Sequence, residues 1–347
     1  MTRRFFAALT AAGTAAAFSG SGKIRAAVIG TGHGHALSKI RALRGMTEYE
    51  FAGVCQSDAS EPTKSEDLAG VNWLSFDQVL NDTSIEMVAV ESADIAGNLR
   101  HAERLIEAGK FVHLDKPPGA DLKRLRKLFD DAASRQRIVQ LGYQWRYHPA
   151  MQAVVDAARQ GWLGSVYRFR ASIDKLIGEE ERRYLAKFKG GMMFSEGCHL
   201  VDRAVAALGR PVKVTGLLRH ESPVEDGLKD NTLAVLEYER AIAEITLSGF
   251  HPRGNSHRFL EIMGTNGSAR MQPYTFPSKL IVDLAKPAGP YRAGAQTLEI
   301  AAPPGLPYSP DFLEMAAVIR QGAKPSHSAA HDLLTQETLL RICDMLH

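Results

Sequence analysis

The sequence predicts an α/β protein: a doubly wound parallel sheet in the N-terminal part, then an α+β domain with a large, mainly antiparallel sheet. Three observations predict it. Up to about residue 142, short apolar runs alternate with helical segments, the βαβα order that builds a parallel sheet. The first run leads into a glycine-rich turn, Gly30-Thr31-Gly32-His33-Gly34-His35, that opens a helix. Beyond residue 145 several runs alternate apolar and polar residues, as strands do where one sheet face meets solvent. The 347 residues also exceed the ~250–300 at which a single core stops growing.

Taken in order, Lys23–Ile29 is a short strand whose Ala26-Ala27-Val28-Ile29 stretch is apolar throughout, as a strand covered on both faces should be. Ala36–Arg44 has helical spacing. Glu50–Cys55, Met87–Val90 and Phe111–Leu114 are further buried strands, and Asn98–Ala108 and Leu122–Arg135 are helices. Lys123, Arg124, Arg126 and Lys127 give the last helix a basic, solvated face. In the second part, Val166–Lys175, Val212–His220, Asn231–Tyr238, Ala241–Phe250, Arg258–Gly264 and Ser268–Pro273 are strand-like. Gly264-Thr265-Asn266-Gly267 carries an Asn-Gly hairpin signal. Pro310–Arg320 and Ala329–Leu346 read as closing helices. The expected units are 23–142, 143–310 and a closing segment, 311–347.

Residues 1–22 stand apart. Thr2-Arg3-Arg4-Phe5-Phe6 precedes an Ala-rich apolar stretch to Phe18 and a small-residue end, Ser19-Gly20-Ser21-Gly22. This is the layout of a cleaved export signal, too short to span a bilayer. The paired arginines are similar to a twin-arginine signal without its usual downstream lysine; an ordinary secretory signal or a helix are the alternatives. A periplasmic mature protein is expected. Lys plus Arg number 42 against 39 Asp plus Glu, a formal +3. Without Arg3 and Arg4 the count is 40 against 39, or +1. That balance calls for neither a nucleic acid nor an anionic membrane. Cys55, Cys198 and Cys343 are odd in number and far apart, which argues against a disulfide framework.

Glycines in the turn serve a tight bend and close approach of the backbone to a pyrophosphate at the helix N-terminus. The third glycine of the usual fingerprint falls at His35, with Gly34 one place early. In its strand–turn–helix setting the turn points to NAD or NADP, held by Gly30, Thr31, Gly32, His33, Gly34 and His35. Two loop histidines without partners make a poor metal site, and no metal is expected. The ribose is usually read at the end of the second strand, here Gln56, Ser57 and Asp58. An acid at position 56 would favour NAD. Gln56 tolerates either dinucleotide, and no arginine stands beside it to hold a phosphate, so the reading leans to NAD.

With these residues the chain resembles the glucose–fructose oxidoreductase and inositol dehydrogenase family (Gfo/Idh/MocA) over nearly its whole length after the leader. The resemblance rests on the glycine turn, on Ala108-Gly109-Lys110-Phe111-Val112-His113-Leu114-Asp115-Lys116-Pro117, on Gly142-Tyr143-Gln144-Trp145-Arg146-Tyr147, and on Gly190-Gly191 through Gly197-Cys198-His199 to Asp202. It implies a Rossmann domain holding a nicotinamide dinucleotide, with Glu91, Asp115, Lys116, Gln144 and Trp145 near the cofactor. It implies Lys116 and His199 as catalytic residues. An ammonium at a strand's carboxyl end favours a developing oxyanion, and imidazole suits proton exchange with a hydroxyl. Arg146, Lys175, Tyr184, Ser195 and Glu196 join His199 as substrate-side candidates, with Asp174 a weaker one. For Arg146 a structural salt bridge is the rival reading. Where the family has Asp, four residues before the histidine, this chain has Ser195. Glu196 is not an automatic replacement, because adjacent α-helical positions point about 100° apart. Asp202 could orient His199 or simply cap and solvate.

The implied activity is oxidation of a sugar, polyol or inositol-like hydroxyl with a tightly held cofactor. A redox-neutral glycosidase of the same family and a non-catalytic nucleotide- or carbohydrate-binding module are the alternatives. A homodimer or tetramer is implied through the open face of the second sheet.

Overall fold

The computed structural model describes residues 22–346; the export-signal expectation rests on residues that lie, but for Gly22, outside that span. The first sheet comprises β1 (Ile24–Ile29), β2 (Tyr49–Cys55), β3 (Trp73–Leu74), β4 (Met87–Val90), β5 (Phe111–Leu114) and β6 (Val139–Leu141). All pairings are parallel and the order is β3-β2-β1-β4-β5-β6. The strand order therefore reverses between β1 and β4, which opens a crevice at their carboxyl ends.

Side chains alternate between faces along a strand, and here both faces are covered. Ala27, Ile29, Val88 and Val90 enter one core with α3 (Ile95–Glu107) and α4 (Leu122–Ser134). Ala26, Val28, Met87 and Ala89 enter the other, with α1 (Ala36–Gly45) and a helix from the far end of the chain, α8 (Ser309–Gln321). Phe312 and Met315 of α8 are fully buried there, and Tyr49 Oη donates to the Phe312 carbonyl at 2.7 Å. Each such side chain contributes about 1.5–3 kcal/mol of burial. The first of the two closing helices is thus half the roof of the first sheet.

The second sheet has eight strands: β7 (Val166–Asp174), β8 (Lys213–Arg219), β9 (Asn231–Glu237), β10 (Ile242–Ser248), β11 (Phe259–Gly264), β12 (Gly267–Gln272), β13 (Ser278–Leu284) and β14 (Gly294–Ile300). Their order is β14-β13-β12-β11-β7-β10-β9-β8, antiparallel except where β7 meets β10. α5 (Pro149–Arg159) and α7 (Cys198–Leu208) cover one face. Tyr167, Leu217, Ile242 and Ile281 are exposed strand residues. α9 (Ala329–Ile342) packs on α7, β8 and α4 and so ties the two parts together.

Several elements escaped the sequence reading. β13 and β14 flank a Pro- and Gly-bearing loop that hides their pairing, and β3 and β6 are only two and three residues long. The six-residue helix α2 (Phe76–Asn81) is marked by a capping box between Ser75 and Gln78. The substrate-side candidate Tyr184 lies in a further short helix, α6 (Glu179–Leu185).

Candidate active site

The glycine turn bends from β1 into α1 beside the switch point. Gly30 has φ +85°, and a Cβ there would stand 2.5 Å from Ser92 N. A Cβ on Gly32 would stand 2.9 Å from Glu61 Oε1. Both glycines let the turn lie against the loops that follow β4 and β2. A Cβ on Gly34 would meet nothing within 4 Å, so it leaves room over the helix start. α1 begins there with no side-chain cap, and uncapped amides at a helix N-terminus suit an anion. A cleft of about 500 Å³, lined by Asp58, Glu61, Ser92, Asp94, Gly119 and Lys187 among others, runs past the end of β2. Cradle, helix start and cleft together fit a dinucleotide.

Behind the turn lies a buried ionic cluster. Lys39, on the inner stripe of α1, places Nζ 2.8 Å from Glu91 Oε1 and 3.1 Å from Asp115 Oδ1. His33 and His35 both turn Nδ1 toward Asp115 Oδ2, His35 at 3.0 Å. The expectation that these histidines lack partners is corrected by that contact. Their nitrogens and the Asp115 carboxylate lie within 4.8 Å of one another, close enough to share a cation, and the Lys39 ammonium already fills that electrostatic role. Burial opposes charge on Asp115, but His33, Lys39 and His35 outweigh it and hold the carboxyl well below the usual range. Burial and neighbouring Asp115 push Glu91 well above its usual value. Burial takes His35 down to about 3, so its imidazole is neutral near pH 7.

The cluster at the end of β5 joins the two domains. Lys116 is buried, and its Nζ donates to the Ser195 carbonyl at 2.9 Å. Ser195 belongs to Met193–Gly197, a π-helical turn running into α7. Such turns are wound wider than an α-helix and recur at functional sites. Glu196, expected as a substrate-side candidate though not as an automatic replacement for the family's Asp, does reach this cluster. The Glu196 carboxylate lies 3.5 Å from Lys175 Nζ and shares its surroundings with Lys116 and His199. Burial would raise the Glu196 pKa; Lys116, Lys175 and His199 overcome that and hold it well below the ordinary range. Burial likewise opposes the Lys116 charge, yet Cys198, Glu196 and Asp115 raise its pKa above the usual value. The Cys198 thiol is itself pushed up to about 12 by burial, so at neutral pH the carboxylates sustain the ammonium.

His199 stacks on Trp145 with ring centroids 4.4 Å apart and meets Tyr143 edge-on at 5.8 Å. Burial, then the Lys116 charge, lowers its pKa well below the usual value, so it is neutral. Its Nδ1 is buried with no hydrogen-bond partner, as is the Tyr184 hydroxyl. Lys175 also pairs with Glu181. Asp174 accepts from Ser172 Oγ at 2.9 Å, and its carbonyl accepts from Arg258 Nε at 3.1 Å.

Other candidates are placed differently. The Arg146 guanidinium is buried and committed to Asp202 and Asp332, so the salt-bridge reading replaces the substrate-side one. Asp202 binds Arg146, Arg203 and His331 rather than His199. Gln144 Nε2 lies 3.4 Å from His35 Nε2. Gln56 donates its amide to the Glu61 carbonyl at 3.2 Å, and Asp58 caps Ser60. Thr31 Oγ1 donates to the Pro62 carbonyl at 2.6 Å. Lys39, Glu61 and Tyr308 were missed. Lys39 was legible as a lysine on the apolar i, i+3, i+4 stripe of α1; Tyr308, 5.1 Å from the His35 ring, left no local signal.

Residues 24–143 match the model of an oxidoreductase family with an NAD-binding Rossmann fold, and residues 151–270 match the Gfo/Idh/MocA C-terminal domain. A dTDP-3,4-didehydro-2,6-dideoxy-α-D-glucose 3-reductase of Actinomadura kijaniata is 27% identical over 164 residues, 46% of this chain and 49% of that protein. The chain spans about half the length of the first curated relatives it matches. An oxidoreductase of Agrobacterium radiobacter, solved with NAD+, L-tartaric acid and magnesium, superposes with a TM-score of 0.77 at 17% identity, covering 92% of this chain and 94% of that one. An aldose-aldose oxidoreductase of Caulobacter crescentus, solved with glycerol, gives 0.77 at 18% identity over 93% and 98%. At these identities the solved structures share the fold. The two matched regions, together with the sheet topology, place the chain in the Gfo/Idh/MocA family of NAD-binding oxidoreductases.

Proposed function

We propose that the protein oxidises a hydroxyl of a sugar, polyol or inositol-like substrate. The observation that carries this reading is the meeting of an ammonium, an ionised carboxylate and a neutral imidazole at the carboxyl end of β5: Lys116, Glu196 and His199. Gly30 to His35 would hold the dinucleotide, which supplies the hydride acceptor. Lys116 hydrogen-bonds the reacting oxygen and favours its developing negative charge. His199, neutral and stacked on Trp145, takes the hydroxyl proton. Glu196 and Lys175 alternate acceptor and donor, a pattern suited to neighbouring hydroxyls. Relatives named for a deoxysugar reductase and an aldose-aldose oxidoreductase support the carbohydrate class.

The leader-like N-terminus supports export of an already folded protein, and a retained cofactor suits a compartment poor in free dinucleotide. The three cysteines are free and buried, which fits folding before export. The test is to purify the protein from the cytoplasm, denature it, and identify released nucleotide by mass spectrometry. Near-stoichiometric nicotinamide dinucleotide supports the reading. No nucleotide, and no binding of either dinucleotide when added, overturns it.

A further inference from the structure

Glu61 sits where the sequence reading looked for an acid and found Gln56. After β2 the chain turns back on itself, and the Gln56 amide fixes that return by donating to the Glu61 carbonyl at 3.2 Å. This brings the Glu61 side chain, only 7% exposed, between the carboxyl ends of β1 and β2. Its Oε2 accepts from the Thr31 amide at 3.1 Å and the Ser57 amide at 3.2 Å. Its Oε1 is buried with no partner, and so is Ser57 Oγ. Leaving a buried polar atom unsatisfied is costly, more so for a charged group. Glu61 also lines the cleft that runs past the end of β2.

We propose that Glu61 reads the adenosine ribose and makes this chain select NAD over NADP, an inference that rests on the dinucleotide reading above. The two dinucleotides differ in whether the ribose carries a free 2′-hydroxyl or a 2′-phosphate. A hydroxyl donates to Oε1 and completes its hydrogen bonding. A phosphate brings negative charge against a buried carboxylate. The carboxylate is held by two backbone amides and so cannot easily swing away. On the opposite side of the cleft Lys189 is tied to Asp344, while Lys187 also lines the wall. Lys187 is the cation that would reverse the preference if it, rather than Glu61, met the 2′ position.

The test is calorimetric titration of the full chain, freed of retained nucleotide, with NAD+ and with NADP+. Wild type is expected to bind NAD+ at least about tenfold more tightly, and Glu61→Gln to narrow that ratio by about tenfold or more. Glu61→Asp keeps the charge, and is expected to go on refusing NADP+ even if NAD+ binds less tightly; it serves if the Gln variant folds poorly. A ratio unchanged by Glu61→Gln, free admission of NADP+ by Glu61→Asp, or a wild-type preference for NADP+ overturns the assignment and leaves the dinucleotide reading standing. Failure of wild type to bind either nucleotide overturns both.

Discussion

Lys116 Nζ donates to the main-chain carbonyl of Ser195 at 2.9 Å, so the ammonium at the end of β5 is aimed by the backbone of the other domain. The acceptor lies in the π-helical turn Met193–Gly197, and the same turn carries Glu196, beside Lys175. The lysine's acceptor and the neighbouring carboxylate thus come from adjacent residues of one turn. Replacing Lys116 by Ala is expected to lower kcat by about 10²–10⁴-fold, the range for losing a charge-stabilising or proton-handling group. Nucleotide affinity, measured by titration, should change by less than about threefold.

Ser195 and Glu196 should behave unequally. Ser195 contributes its carbonyl, which survives truncation, so Ser195→Ala is expected to leave kcat/KM within about threefold of wild type. Glu196→Gln removes the charge that sustains Lys116 and Lys175, and a loss of about 10–100-fold is expected. Steady-state kinetics on both variants checks this; a loss in Ser195→Ala with none in Glu196→Gln would mean that the serine hydroxyl matters and the carboxylate does not.

Arg146 is expected to be a stability residue. Its guanidinium is buried against Asp202 and Asp332 and lies over the Tyr143 ring at 4.7 Å. Arg146→Ala leaves two buried carboxylates facing each other, and a loss of about 3–5 kcal/mol is expected in urea unfolding. The folded fraction should keep the wild-type KM; a large rise in KM with unchanged stability would restore a substrate-side role.

Asp311 gives a pH dependence with a definite sign. It is buried in the first turn of α8, and burial raises its carboxyl to about 7. An unfolded aspartate titrates near ~3.9. The folded state therefore holds the proton more tightly, and the cost of losing it accumulates as pH rises from about 4 to about 7. Asp311→Asn carries no such cost. It is expected to be more stable than wild type by about 2–4 kcal/mol at pH 8, with the advantage shrinking to nothing by pH ~4. A difference independent of pH would contradict the burial argument.

The sequence exposed the fold wherever periodicity was long enough. The apolar run of β1, the glycine turn and the run from Ala108 to Pro117 were readable because both faces of the first sheet are buried. It hid β6 and β3, whose few residues carry no period, and it hid the pairing of α8 with β1, a contact between the two ends of the chain. At the site, Lys116, His199, Trp145 and Asp115 were legible as residues but their partners were not. Glu196 was legible as a substrate-side candidate, but its ion pair with Lys175 across the fold was not. Glu61 was invisible because its approach to Thr31 depends on how a loop folds back. His33 and His35 looked partnerless in the sequence because their contact with Asp115 spans some 80 residues, as in the His35–Asp115 pair.

The central claim is that Lys116 and His199 serve hydroxyl oxidation on a held dinucleotide. The most direct measurement is a single-turnover experiment in which a panel of sugars, polyols and inositols is mixed with the nucleotide-loaded protein, following the near-ultraviolet absorbance of reduced nicotinamide. The account predicts that at least one compound reduces the bound cofactor in wild type. It also predicts that the step is slowed at least about 10²-fold in both Lys116→Ala and His199→Ala, which still hold the nucleotide. Reduction at the wild-type rate in either variant would contradict it.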